Sequence, residues 1–165
     1  MRKIHNLFPS PFCSTLIGKQ IPTCRTYGRE STMTPPQTIT RVTYHRIYTD
    51  EQGNSHFDTV KVEQGLAQAA PPAAPFYVSG DNPASKYRFY TFEPGWIGEL
   101  HPAPTRQFLA LMSGAVEMET TDGTVTKLGP GDLVLLEDTT GRGHVTRNIG
   151  KGYAMFLVVP VPSKS

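Results

Sequence analysis

The histidines His56, His101 and His144 fall in or beside strand-like segments of the compact region or its leading edge. Imidazole is the side chain that takes up and releases a proton near neutral pH, and in its neutral form it is the commonest metal ligand. His101 and His144 stand far apart in sequence, so they can act together only if the fold closes on itself. Glu99 precedes His101 by two residues; side chains two apart share a strand face, which would set its carboxylate beside the imidazole as a catalytic or ligating oxygen. His56, in Ser55-His56-Phe57-Asp58, is either a substrate contact laid over the mouth of the fold or a surface histidine. Trp96, beside the turn at Gly95, is either a substrate platform or a packing anchor. Cys13 and Cys24 both lie near the N-terminus, so sulfur chemistry is excluded from the folded core.

The elements that must position these residues read as short strands. Thr40 to Val62 holds two apolar-alternating runs split by a polar break at Asp50 to Ser55, the pattern of a hairpin. Residues 63 to 85 are rich in Ala, Pro and Gln, which predicts a wrapping loop of polyproline character. Further strands are predicted over 86–92, 99–101, 106–112, 115–120, 125–128, 133–137, 144–148 and 153–159. They are separated by turn chemistry at Ser113-Gly114, Asp122-Gly123, Gly129-Pro130-Gly131-Asp132, Gly141-Arg142-Gly143 and Gly150-Lys151-Gly152. Closely spaced strands with glycine-rich turns and no helical period describe an all-β sandwich or barrel. A chain of 165 residues calls for a single domain.

The formal charge of +2 belongs to the leader. Residues 1–32 carry Arg2, Lys3, Lys19, Arg25 and Arg29 against one acid, Glu30; the remainder has 11 Lys and Arg against 13 Asp and Glu, a net of −2. No basic stripe in that remainder could follow a phosphate backbone, so nucleic acid is not an expected partner. No apolar run approaches the roughly 20 residues that span a bilayer, so no membrane is expected either. The leader has the composition of a transit peptide, or else is an upstream extension with Met33 as the working start. The expected location is cytoplasmic, or mitochondrial if the leader is an address.

Two stretches resemble the paired motifs of the cupin superfamily. Gly95-Trp-Ile-Gly-Glu-Leu-His101-Pro-Ala103-Pro-Thr-Arg-Gln107, closing at Gly114, is similar to the first; Gly131-Asp132 with Gly143-His144-Val-Thr-Arg-Asn148 is similar to the second. The resemblance covers about residues 86 to 160. It implies a single jelly-roll β-barrel with an N-terminal extension, in which His101 and His144 are two of the family's metal ligands. Two departures stand out: Ala103 takes the place of the second motif-one histidine, and Gln107 that of the glutamate. Also, the connection from Glu137 to Gly143 is about two residues longer than the family's common one.

Two imidazoles and a neutral amide make a poor divalent-metal site. Either Glu99 restores a carboxylate and one Fe, Zn or Mn ion is held by His101, Gln107 and His144 with its help, or the pocket works without metal and the imidazoles serve as acid and base. The leading expectation is a small-molecule lyase, isomerase or dehydratase with His101, His144 and Glu99 as catalytic groups, and Gln107, His56 and Trp96 contacting the substrate. The apolar Leu109, Leu111, Val134 and Leu136 would line the pocket. A metal-dependent dioxygenase or related oxidoreductase is the second reading, and a non-catalytic ligand-binding or scaffold barrel the third. Arg106, alternating with Gln107, should face outward, and Glu137 with Asp138 should form a solvated loop. A homodimer is expected, with the strand at Thr40 to Tyr48 available as a sheet edge.

Overall fold

A computed structural model describes residues 36–84 and 86–163. The expectations for the leader, residues 1–32, lie outside the described residues. Every regular element among the described residues is a strand: β1 (Thr38–Thr49), β2 (Ser55–Ala67), β3 (Phe76–Val78), β4 (Arg88–Phe92), β5 (Ile97–His101), β6 (Gln107–Ser113), β7 (Val116–Thr120), β8 (Val125–Leu128), β9 (Leu133–Leu136), β10 (His144–Asn148) and β11 (Ala154–Pro160). They form a seven-stranded sheet in the order β3-β2-β1-β9-β6-β11-β4 and a four-stranded sheet in the order β5-β10-β7-β8. Every pairing is antiparallel except that of β1 with β9. This is the all-β jelly roll that the turn spacing and the two motifs implied.

The two sheets close on one core. Ile47, Leu109, Leu111, Val134, Leu136, Phe156 and Val158 come from the large sheet, and Val116, Met118 and Leu128 from the small one. Period-two alternation drives this, because each strand turns every second side chain inward. Along β6 the inward positions are Gln107, Leu109 and Leu111, and along β11 they are Ala154, Phe156 and Val158. The same alternation in β10 turns His144, Thr146 and Asn148 inward, so one interior strand face is wholly polar. Asn148 settles its own cost: Nδ2 reaches the carbonyls of Phe92, Glu93 and Gly152, and Oδ1 accepts from the Gly150 N–H.

Two expectations are corrected. Residues 63 to 85 are not one wrapping loop, since β2 runs on to Ala67 and β3 pairs with it from Phe76 to Val78. The β-branched and aromatic residues of Phe76-Tyr77-Val78 outweigh the surrounding prolines there. The segment Thr40 to Tyr48 is no sheet edge either, because β1 lies between β2 and β9 with ladders on both sides. The edges are β3 and β4 in one sheet and β5 and β8 in the other.

A polar clip ties the β1–β2 hairpin to the β7–β8 turn. His56 Nε2 meets Asp50 at 2.7 Å and Nδ1 meets Asp122 at 2.8 Å, while its ring lies 5.6 Å from that of Tyr48. Beside it the Ser55 hydroxyl donates to Gly143 O at 2.6 Å and accepts from the Thr121 N–H. Asp50 and then Asp122 raise the His56 pKa. The Asp50 carboxyl is lowered by His56 and by the Asn54 N–H. Burial pushes Asp122 up, but the Thr120 hydroxyl, the Thr124 N–H and His56 outweigh it and hold that carboxyl well below the usual range.

These shifts fix the sign of a pH effect. The stability from His56 is complete below the ordinary imidazole value of 6.5 and is lost as pH rises through the raised value of the folded chain. The stability from the two carboxylates is present above their ordinary 3.8 and is lost as pH falls through the depressed values. The thermal midpoint of the wild type should therefore decline more steeply above pH 6.5 than that of His56→Gln. Parallel curves for the two proteins would remove the clip from the account.

Candidate functional site

His101 and His144 meet because β5 and β10 are register partners, with the two histidines directly opposite one another. Their ring centroids are 5.2 Å apart. The strands come close at this end because Gly143 lies on the backbone of His101: a Cβ on Gly143 would stand 2.0 Å from the carbonyl of His101, and its φ of 80° favours glycine in any case. The ring of His144 is buried, whereas His101 sits at the exposed mouth.

Each ring has one nitrogen committed. His101 Nδ1 donates to the carbonyl of Glu99, and His144 Nδ1 donates to Asp138 Oδ2 at 2.6 Å. A carbonyl can only accept, so His101 carries its proton on Nδ1; the carboxylate fixes the same tautomer for His144. In both rings Nε2 is the nitrogen left for other chemistry.

A cavity of about 360 Å³ opens beside these rings. Its polar lining is His101, His144, Gln107 and Thr146, and its walls are Tyr90, Phe92, Trp96, Leu109, Met118, Leu136 and Phe156, with Pro102, Ala103 and Pro104 at the entrance segment. Gln107 is 2% exposed, and its Oε1 has no protein hydrogen-bond partner. Trp96 stacks on Phe92 with centroids 4.1 Å apart and planes 8° from parallel. Gly98 permits this, since a Cβ there would stand 2.6 Å from the indole.

Of the residues picked out from the sequence, His101, His144, Gln107 and Trp96 line this one cavity. Glu99 does not: its side chain is exposed and outside the lining, and its contribution is the backbone carbonyl. The strand bends at a register shift between β5 and β10, which breaks the simple rule that residues two apart share a face. His56 is spent on the hairpin clip and is outside the lining as well. Leu109 and Leu136 are wall residues, whereas Leu111 and Val134 belong to the deeper core.

The sequence reading missed Asp138. It is fully buried, not part of a solvated loop. Glu137 and Asp138 alternate: Glu137 turns outward to Arg46 and Arg106, with the Arg106 Nη2 at 2.7 Å, and Asp138 turns inward to His144. Arg106 faces outward as expected and also donates to Pro162 O. The available signal was that an acid six residues before a buried histidine is the nearest carboxylate able to orient it.

A metal of the family's type would need donors that this site supplies only in part. Imidazoles whose Nδ1–H groups are held from behind are poised as metal ligands are. What the set lacks is an anion: Ala103 offers no donor, Gln107 is neutral, and Asp138 is taken by His144. Among the described residues no group of three or more His, Cys, Asp or Glu could hold a metal ion. The residues do not fit a divalent metal.

The residues from 88 to 160 match the family model described as Cupin domain. No curated protein matches the sequence. Among solved structures, the chain is similar to a cupin domain from Bordetella pertussis Tohama I at 21% identity, covering 50% of this chain and 86% of that one with a TM-score of 0.40. It is similar to a conserved protein of unknown function from Streptococcus pyogenes at 18% identity, with 47% and 65% covered and a TM-score of 0.37. A sugar phosphate isomerase from a cupin superfamily of Silicibacter pomeroyi is similar at 20% identity, with 61% and 59% covered and a TM-score of 0.37. The chain thus spans less than two thirds of the length of the latter two.

Two outcomes are expected of variants. Gly143→Ala should force β10 away from His101 and lower the unfolding free energy by about 1–3 kcal/mol, read from denaturant midpoints; a midpoint equal to wild type would show that the close approach relaxes freely. The pair Ala103→His with Gln107→Glu supplies the missing imidazole and anion, so calorimetric titration with manganese or zinc should show about hundredfold tighter binding than the parent. Tight one-to-one binding by the parent would show that the donor assignment above is incomplete.

Proposed function

The chain belongs to the cupin superfamily through its barrel segment, residues 88–160, and on that premise we propose that it is a small-molecule enzyme of lyase, isomerase or dehydratase type working by proton transfer at His101 and His144. The observation that carries this reading is the pair of rings 5.2 Å apart in one cavity, each with Nδ1 committed to a fixed acceptor. A committed Nδ1–H leaves Nε2 as the working atom. A neutral ring accepts a proton there and a protonated ring donates one. Two imidazoles this close act on neighbouring atoms of one substrate, so that one removes a proton while the other delivers one, as elimination and isomerisation require.

The roles divide by environment. Asp138 acts through His144 as a positioning residue: it locks the ring orientation and stands opposite the charge the ring acquires on taking a proton, as buried carboxylates do behind imidazoles in other enzymes. That makes His144 the base. His101, exposed at the mouth, is placed to exchange its proton with solvent and so serves as the acid. Gln107 offers its amide to orient the substrate, and Leu109, Met118, Leu136 and Phe156 keep bulk water from the reacting atoms.

A generic proton-abstraction probe tests this. Nitrobenzisoxazole, a flat neutral molecule whose ring opens when a base takes its ring C–H proton, should be consumed by the wild type with saturation. His144→Gln should slow the reaction by about a hundredfold or more, in the range of a lost general base. Asp138→Asn should lower kcat by about tenfold or more while leaving KM nearly unchanged, and Asp138→Glu should recover part of the loss. A wild type no faster than the His101→Gln/His144→Gln double variant would end the proton-transfer reading.

A further inference from the structure

Among the described residues the cavity lining contains no Lys, Arg, Asp or Glu; its ionisable side chains are His101, His144 and the phenol of Tyr90, none of them a fixed cation. His144 already faces its own carboxylate, Asp138, at 2.6 Å. A phosphate or carboxylate entering this space would exchange its hydration for aromatic and aliphatic walls with no side-chain cation dedicated to it. The lining that recognises anions elsewhere, an arginine fork or a lysine, is on the outside here: Arg46 and Arg106 are bound to Glu137 on the outer side of the large sheet.

What the cavity does offer is specific. Tyr90, Phe92, Trp96 and Phe156 provide an aromatic wall, with Phe92 and Trp96 stacked flat. Against it stand Nε2 of His144, the base, Nε2 of His101, the acid, and the side-chain amide of Gln107, whose buried Oε1 has no protein partner. A buried amide oxygen without a partner is costly, and a turn of the Gln107 amide that brings this oxygen to a ligand's donor removes that cost. A ring fits the wall, and a hydroxyl or N–H fits the acceptors.

We propose that the site takes an uncharged, ring-bearing organic substrate carrying a hydroxyl or N–H donor, the donor meeting Gln107 Oε1 beside the two imidazoles, and that it discriminates against phosphorylated and carboxylated compounds. This deepens the proton-transfer reading and rests on it for the direction in which the substrate's polar end points. The discrimination follows from two separate features, the absence of a paired cation and the presence of an orphaned acceptor.

The chain supplies its own reporter, because Trp96 is its single tryptophan and lines the cavity. The full-length protein is titrated at about pH 8 with four probes sharing one ring: para-ethylphenol, its methyl ether para-ethylanisole, para-ethylbenzoate and para-ethylphenyl phosphate. Tryptophan emission, excited at its red edge, is read for saturable change. The phenol should bind about tenfold tighter than the ether, which lacks the donor, and tighter by about tenfold or more than either anion. Gln107→Leu should bring phenol and ether to equal affinity. The ranking on the wild type decides the matter by itself if that variant fails to fold. An anionic probe binding as tightly as the phenol, or no saturable change with any probe, overturns the substrate class. Its failure is distinct from that of the proton-transfer reading. An anion ranking first, with histidine-dependent opening of nitrobenzisoxazole, overturns only the substrate class. The phenol ranking first without such opening supports that class and overturns the chemistry.

Discussion

The backbone of Gly143 rests against the backbone of His101, and the site depends on that contact. It sets β10 beside β5 in the register that places the two histidines opposite one another. Any side chain at residue 143 would have to occupy the space of a peptide group, so the closeness of the imidazoles is bound to the absence of one Cβ. The Ser55 hydroxyl adds to this by donating to the Gly143 carbonyl at 2.6 Å from the hairpin clipped by His56. His56 therefore supports the site from a distance without touching the cavity.

A second constraint acts through the alternation at residues 137 and 138. Glu137 is held on the outer side by two arginines and its N–H donates to Ile47 O, while the next residue turns into the core. Asp138 O in turn accepts from the Ala103 N–H, so the same loop anchors the segment after His101. One short stretch thus fixes both histidines: His144 through a carboxylate, His101 through the backbone that follows it. A buried carboxylate with one oxygen unpartnered is expensive, and the hydrogen bond that His144 Nδ1 donates to the other oxygen offsets part of that cost.

The polar interior of β10 illustrates how the family fold has been put to use. His144, Thr146 and Asn148 occupy inward positions that a purely structural strand would fill with Val or Leu. Asn148 repays its burial by pinning the turn after β4 and the turn before β11, and the first of these leads directly to Trp96. The aromatic wall and the imidazole pair are thereby connected through a single strand.

Much of this was legible in the sequence. Period-two alternation and glycine-rich turns determined the strands from β4 to β11 to within a few residues, because each strand's inward face must be buried and each turn needs a residue tolerant of its backbone angles. The resemblance of the stretches around His101, Gln107 and His144 to the two cupin motifs implied one pocket for all three, and all three line one cavity. The sequence by itself did not determine the fate of Glu99, His56 or Asp138. Local periodicity says which side of a strand a residue occupies, not where a bulge redirects it, and a register shift in the β5–β10 pair left Glu99 outside. Whether an acid in a polar loop is solvated or buried depends on what the rest of the chain lays over it. Asp138 is buried because β10 brings a histidine to it, and His56 is surrounded because the β7–β8 turn brings Asp122. Those partners are distant along the chain, and only the closed barrel puts them within hydrogen-bonding reach.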